Sequence, residues 1–167
     1  MRLYHFTNLH CLLGEEGFKR AKEIANGEID VVGLADDTSI LRRGILPGDN
    51  DRGDPEDRSL WHDVIGLPDC VWLTSNPSPG PGRSTYYEFR IEVDLALNSS
   101  RLRHFRTWIS DHVPAETFAR VMMAAATAGG MDDWYVYFGV VIPPRFLSVT
   151  ATPEFTAGTH KQGHVVP

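Results

Sequence analysis

The alternation of apolar and polar residues from Tyr86 to Leu95 is the strongest constraint on how this chain folds. One side of the alternation carries Tyr87, Phe89, Ile91, Val93 and Leu95, and the other carries Tyr86, Glu88, Arg90, Glu92 and Asp94. Successive side chains of a β-strand point to opposite faces of a sheet. The segment therefore predicts a strand with one face in a core and one polar face.

Shorter patterns predict the other elements. Strands are predicted at 2–7, 71–74, 135–142 and 146–150, and helices at 18–26, 36–43 and 114–128. Thr7 or Asn8 can cap a further short helix that begins at Leu9, which Gly14 and Gly17 interrupt. Regular alternation of strand and helix is missing, so a doubly wound parallel sheet is not indicated. The order predicts an α+β fold with a largely antiparallel sheet.

The length allows one domain. The chain has 167 residues, of which 42% are hydrophobic and 23% charged, as in folded proteins with a core of their own. We expect a single catalytic-type domain over 1–155 and a flexible, polar tail over 156–167.

Charge and cysteine content restrict the class of protein. A net charge of −6 speaks against sequence-independent binding to duplex DNA, although a small basic patch could still hold a nucleic-acid substrate. Two cysteines cannot form a disulfide framework. No apolar run has the length of a membrane span, and no apolar signal segment follows the first residues. A cytoplasmic protein without a membrane partner is the resulting expectation.

Metal chemistry is not indicated. The seven histidines are scattered, and no pair has the spacing of a two-ligand helix face. The Asp-rich segment 48–58 fails the spacing of a calcium loop, because Gly53 stands where a ligand belongs. It is better explained as a surface loop. The sequence also lacks a phosphate-binding glycine loop and a nucleophile elbow.

Four polar clusters are candidates for function, although each also fits ordinary structure. They are His5 with Thr7, the sequence Thr74-Ser75-Asn76 after a predicted strand, the polar face with Tyr86, Glu88 and Arg90, and Asp132-Asp133 before a strand. A fifth feature is the basic segment 101–106, where three arginines flank an aromatic residue and could grip a phosphate-bearing partner. A solvated helix start next to Trp108 explains this segment as well.

Several short motifs together resemble the ADP-ribosyltransferase superfamily. They are Tyr4-His5-Phe6-Thr7, the segment LRRGILP at 41–47, VWLT at 71–74 and VIPPRF at 141–146. The closer likeness is to the branches with a motif histidine: enzymes that modify DNA bases, RNA 2′-phosphotransferases and diphtheria-toxin-like enzymes. The resemblance implies a split, mainly antiparallel β-sandwich with flanking short helices. Such a fold holds NAD⁺, as substrate, in a cleft between two small sheets.

The resemblance also implies roles for individual residues. His5 matches the histidine that hydrogen-bonds the nicotinamide-side ribose, with Thr7 beside it. Thr74 and Ser75 would lie near the ribose or the carboxamide, and Arg90 is included as a further binding residue. Trp72, Tyr86 or Tyr87 would stack on the nicotinamide ring, whose positive charge favours an aromatic face.

The catalytic carboxylate is the point at which this sequence departs from the superfamily's pattern. Related enzymes carry a glutamate on a late strand, where this chain has Asp133 followed by Trp134. Asp133 and Glu88 are the leading candidates, with Asp132 and Glu92 also possible. The prediction is a glycosyltransferase of toxin or phage-effector type, with a nucleic acid or a protein as acceptor. The alternatives are a non-catalytic interaction or inhibitor protein on an α+β fold, and a small hydrolase or nuclease.

Overall fold

One six-stranded antiparallel sheet organises the protein. A computed structural model describes residues 1–24, 30–48, 65–78, 87–127 and 131–152. The strands are β1 Arg2–Thr7, β2 Val71–Thr74, β3 Phe89–Asp94, β4 Leu102–His104, β5 Trp134–Tyr137 and β6 Phe146–Ala151. The helices are α1 Leu9–Leu13, α2 Glu15–Glu23, α3 Val31–Leu34, α4 Ile40–Arg43, α5 Phe105–His112 and α6 Ala115–Thr127, with a 3-10 turn at Pro143–Arg145. The predicted α+β class is confirmed.

The sheet has the strand order β4-β5-β2-β1-β3-β6 and divides into two halves. Within one half, β1 pairs with β3 along its whole length, from Arg2 opposite Asp94 to Thr7 opposite Phe89. The other half joins β2 to β5 and β5 to β4. Between the halves, β1 and β2 meet at a single register pair, Tyr4 and Thr74. The centre of the sheet is therefore its most weakly paired boundary.

Two cores lie on opposite faces of the sheet. On one face, buried residues such as Leu3, Leu73 and Ile91 pack against α1 to α4, and this core includes Leu13 and Ile40. We call this the α1–α4 face. On the other face, Trp72, Trp134 and Val136 belong to a second core with α5 and α6. The predicted alternation is confirmed in β3, where Phe89, Ile91 and Val93 are buried and Arg90 and Glu92 are less so.

Most predicted elements are present, with altered ends. The predicted strand 86–95 is Phe89–Asp94, the helix 114–128 is Ala115–Thr127, and the strand 146–150 is Phe146–Ala151. The strand predicted at 135–142 ends at Tyr137, because Gly139 takes φ +147 and its N–H bonds back to Tyr137 O at 3.1 Å. The predicted loop at 48–58, except Gly48, and the predicted tail at 156–167 lie outside the described residues.

The predictions for the helices that follow β1 were partly wrong. Asn8 caps α1 as predicted, and Gly14, at φ +80, separates α1 from α2. Gly17, however, does not interrupt a helix: it lies inside α2, which begins three residues before the predicted 18–26. A Cβ at Gly17 would come within 2.3 Å of Leu34 O, so glycine permits close packing of α2 on α3. The helix predicted at 36–43 is confined to Ile40–Arg43.

Asp36 supplies the missing cap of α2 from a distance in sequence. Its Oδ2 accepts from Glu16 N at 2.8 Å and Gly17 N at 3.0 Å, and its Oδ1 accepts from the hydroxyl and the N–H of Thr38. The Thr38 hydroxyl foremost, together with these N–H groups, stabilises the charged carboxylate and holds the pKa of Asp36 well below its ordinary value of 3.8. The helix dipole acts in the same direction.

Replacing this carboxylate tests its contribution to stability. Asp36→Asn should lower the free energy of unfolding by about 1 kcal/mol at pH 7, because both carboxylate oxygens accept hydrogen bonds and the amide nitrogen that replaces one of them cannot accept. Because the folded pKa is lowered, the wild-type advantage is fully present above 3.8 and declines as the pH falls below it. Urea unfolding at pH 7 and pH 3 measures this change, and Asp37→Asn is the matched control. If the difference in free energy of unfolding between the wild type and Asp36→Asn is the same at pH 3 as at pH 7, the charged Asp36 does not cap α2.

Candidate functional site

The junction between the two halves of the sheet contains His5. Its Nδ1 lies 3.1 Å from Trp72 O, so the imidazole bonds across from β1 to the backbone of β2. A carbonyl only accepts, so Nδ1 carries the hydrogen and Nε2 is the acceptor of the neutral ring. The side chain of His5 is 0% exposed and lies on the α1–α4 face. A ligand therefore reaches this imidazole only if the chain around it moves.

Thr7 and Thr74, the hydroxyl residues nearest the junction, have different environments. Thr7 is buried at the end of β1, opposite Phe89. Thr74 is half-buried, and its Oγ1 accepts from Asn76 N at 3.0 Å. Because Thr74 is paired with Tyr4, its side chain shares the face of Tyr4 and not that of His5. The structure brings Thr74 to the junction but directs it away from the imidazole.

Ser75 and Asp133 come together beside this junction. Ser75 N donates to Asp133 O at 2.8 Å, and Ser75 Oγ lies 3.2 Å from Asp133 Oδ1. Ser75 follows Thr74 and Asp133 precedes Trp134, so the contact lies one residue beyond the last register pair of β2 with β5. The carboxylate of Asp133 is exposed. A hydroxyl and an accessible carboxylate thus lie one strand and two strands away from β1.

The other candidate carboxylates are engaged elsewhere. Glu88 Oε2 accepts from Leu9 N at 2.5 Å, so this side chain helps to cap α1. Glu92 pairs with Arg2 at 3.4 Å and accepts from Ser148 Oγ. Asp132 forms an ion pair with Arg106. Of the four carboxylates, Asp133 is the one placed with Ser75 at the junction.

The aromatic candidates are not gathered around His5. The ring of Trp72 packs edge-on against Phe105 and Trp134, with centroid distances of 4.8 and 5.5 Å, inside the second core. Tyr87 lies near Phe6, with ring centroids 5.8 Å apart. Tyr86 lies outside the described residues. The structure thus directs Trp72 away from the imidazole.

Arg90 occupies the opposite face of the sheet from His5. Its guanidinium lies 5.3 Å from the ring centroid of Tyr4, and Nη1 donates to Pro77 O at 2.7 Å. Through these two contacts Arg90 links Pro77, in the segment after β2, to Tyr4 on β1. Arg90 therefore holds the chain that follows Ser75, and its side chain is not grouped with the imidazole.

The basic segment 101–106 contains a short strand, β4, followed by the start of α5. Arg103 Nη1 donates to Ser99 O and Leu102 O, and Arg106 pairs with Asp132. Arg103 and Arg106, two of the three arginines predicted to bind a phosphate-bearing partner, therefore also make contacts within the protein. Sequence reasoning passed over His104, whose Nε2 lies 2.7 Å from Asp132 O.

The described residues contain neither a cluster of metal-ligating side chains nor a membrane-spanning helix. No three His, Cys, Asp or Glu side chains of that part of the chain converge as metal ligands would. None of its helices combines the length and the apolar character that crossing a membrane requires.

Comparison with known proteins leaves the family undetermined. No protein-family model, curated protein or solved structure matches this chain. The assignment of a function therefore depends on the residues and geometry described above.

Proposed function

We propose that this protein is an NAD-dependent ADP-ribosyltransferase-like enzyme, of toxin or phage-effector type, that acts in the cytoplasm. It would cleave the nicotinamide–ribose bond and transfer ADP-ribose to a macromolecular acceptor, a nucleic acid or a protein. One observation carries the proposal: two three-stranded halves of the sheet meet at the single pair Tyr4–Thr74, with His5 and Ser75 beside it. The resemblance to the superfamily implies two small sheets with a cleft between them, and the weak pairing between the halves of this one sheet is the feature that supports the comparison.

The distribution of polar groups supports a ribose site at this junction. His5 lies on β1, and Ser75 and Asp133 lie in contact with each other at the ends of β2 and β5, the next two strands of the sheet. Ribose offers hydroxyl groups, which donate to a carboxylate or an imidazole nitrogen and accept from a serine hydroxyl. Entry of the dinucleotide would require the side chains that cover His5 to move aside.

The reaction explains why a carboxylate is needed. The bond between the anomeric carbon and the nicotinamide nitrogen breaks, and nicotinamide leaves with the electron pair of that bond. The ribose becomes oxocarbenium-like, as a sugar ring does in glycoside cleavage. The acceptor then donates an electron pair to the anomeric carbon and loses its proton. A negative charge at Asp133 would stabilise the cationic centre and could receive that proton.

Incubation of the purified protein with NAD⁺ tests the proposal directly. We expect release of nicotinamide, measured by liquid chromatography, and transfer of label from biotinylated NAD⁺ to a DNA, RNA or protein fraction. NADH is the chemical control, since its uncharged dihydronicotinamide ring is a poor leaving group and should not be released. If calorimetry detects no NAD⁺ binding and no nicotinamide is released with any acceptor fraction, the proposal is wrong.

A further inference from the structure

The turn before β5 presents Asp132 and Asp133 and is fastened on two sides. The turn is closed by a bond from Trp134 N to Met131 O at 3.1 Å. On the β2 side, Ser75 N donates to Asp133 O at 2.8 Å. On the β4 side, His104 Nε2 donates to Asp132 O at 2.7 Å. The position of Asp133 thus depends on neighbours from both adjoining strands.

The ring of His104 is held in one orientation. A carbonyl oxygen only accepts, so Nε2 must carry the hydrogen that bonds Asp132 O. The Nδ1 atom of the same ring lies 3.4 Å from Thr107 Oγ1. The imidazole also packs edge-on against Tyr135, its register partner on β5, with ring centroids 5.1 Å apart. These contacts keep the Nε2–H group of the half-buried His104 ring directed at Asp132 O.

The ion pair of Arg106 with Asp132 is a second contact of the same turn. Its side chains are 50% and 73% exposed, so water screens the attraction. Exposed ion pairs contribute little to stability. The bond from His104 acts on the backbone of the turn itself, and its ring is packed against Tyr135, so it restrains the turn directly from the β4 side.

We infer that His104 is a positioning residue, which holds the turn at Asp132 and thereby keeps Asp133 against Ser75. The consequence for catalysis rests on the proposed function of Asp133, whereas the restraint on the turn does not. A misplaced carboxylate would stabilise the cationic ribose less well without changing how the rest of the dinucleotide binds.

Hydrogen exchange of the Ser75 amide tests the restraint without any substrate. In His104→Leu we expect this amide, which bonds Asp133 O, to exchange at least about ten-fold faster than in the wild type. His104→Gln keeps a side-chain donor and should restore most of the protection. His112→Gln is the matched control, because His112 bonds a different carbonyl, Trp108 O at 2.6 Å. His104→Asn, too short to reach the carbonyl, replaces the leucine variant if that variant does not fold.

Kinetics test the catalytic consequence. For nicotinamide release, His104→Leu should lower kcat about ten-fold with the KM for NAD⁺ within about two-fold, and His104→Gln should recover most of kcat. Unchanged Ser75 exchange in His104→Leu overturns the inference. If the Ser75 amide exchanges faster in His104→Leu but the wild type releases no nicotinamide, the restraint on the turn is supported and the proposed function is overturned. A fall in kcat that glutamine does not recover overturns the role of the donor.

Discussion

Asp133→Asn is expected to slow nicotinamide release from NAD⁺ by at least about 100-fold, the scale on which single groups stabilise charge in a transition state. Asparagine keeps the shape of the side chain and an oxygen near Ser75 Oγ, so the local contact at 3.2 Å can persist. It removes the negative charge that would face the oxocarbenium-like ribose. Because Asp133 is exposed, its replacement should change Tm by no more than about 2 °C. Steady-state kinetics and thermal unfolding of the same preparation measure both effects.

Two further variants make this result specific. Asp111→Asn alters an exposed carboxylate on α5, away from the turn, and should leave the rate unchanged. Glu88→Gln keeps an oxygen that can accept from Leu9 N and so preserves the cap of α1. If Glu88→Gln loses turnover while Asp133→Asn keeps it, the carboxylate has been assigned to the wrong residue.

Most of the strands could be predicted from the sequence because their signal is local. In β3 the burial of Phe89, Ile91 and Val93 follows directly from the apolar alternation. The helix at Ala115–Thr127 was likewise predictable, because Pro114 marks its start and Gly129-Gly130 mark its end in the sequence. In both segments the chain carries its own start, stop and buried face.

Elements that depend on distant partners could not be predicted. Strand β4 has three residues, Leu102–His104, and two of them are polar, so its strand character comes from pairing with β5. The remote cap of α2 by Asp36 depends on how α2 and the loop before α4 meet in space. Neither has a repeating pattern that local reasoning detects.

The candidate site could be predicted only in part, because it too depends on how distant strands pair. The sequence places His5 and Trp72 in strands, but only the register between β1 and β2 decides which faces coincide. That register pairs Tyr4 with Thr74, so Trp72 faces the second core, whereas the register of β1 with β3 places Arg90 on the face of Tyr4. The pairing of Ser75 with Asp133 likewise needs the contact of β2 with β5, which no local motif encodes.

Replacing His5 is expected to have the largest effect on stability. His5→Ala removes a ring that is 0% exposed and leaves Trp72 O without this donor. We expect the free energy of unfolding to fall by about 2–4 kcal/mol, because the substitution leaves a cavity and removes a hydrogen bond. For a chain of this size that corresponds to a fall in Tm of about 5–12 °C. Loss of turnover in this variant therefore does not separate a structural role of His5 from a functional one.

His5→Asn separates the two roles. The amide nitrogen of asparagine takes about the place of Nδ1, so the bond to Trp72 O can be kept while the outer part of the ring is lost. We expect a fall in Tm clearly smaller than in His5→Ala, together with a loss of nicotinamide release at least as large as in Asp133→Asn. Calorimetric unfolding and the release assay test both parts. If His5→Asn is stable and turns over NAD⁺ at the wild-type rate, the imidazole serves only to join β1 to β2, because the one polar atom that asparagine cannot replace, Nε2, would have no part in binding the ribose.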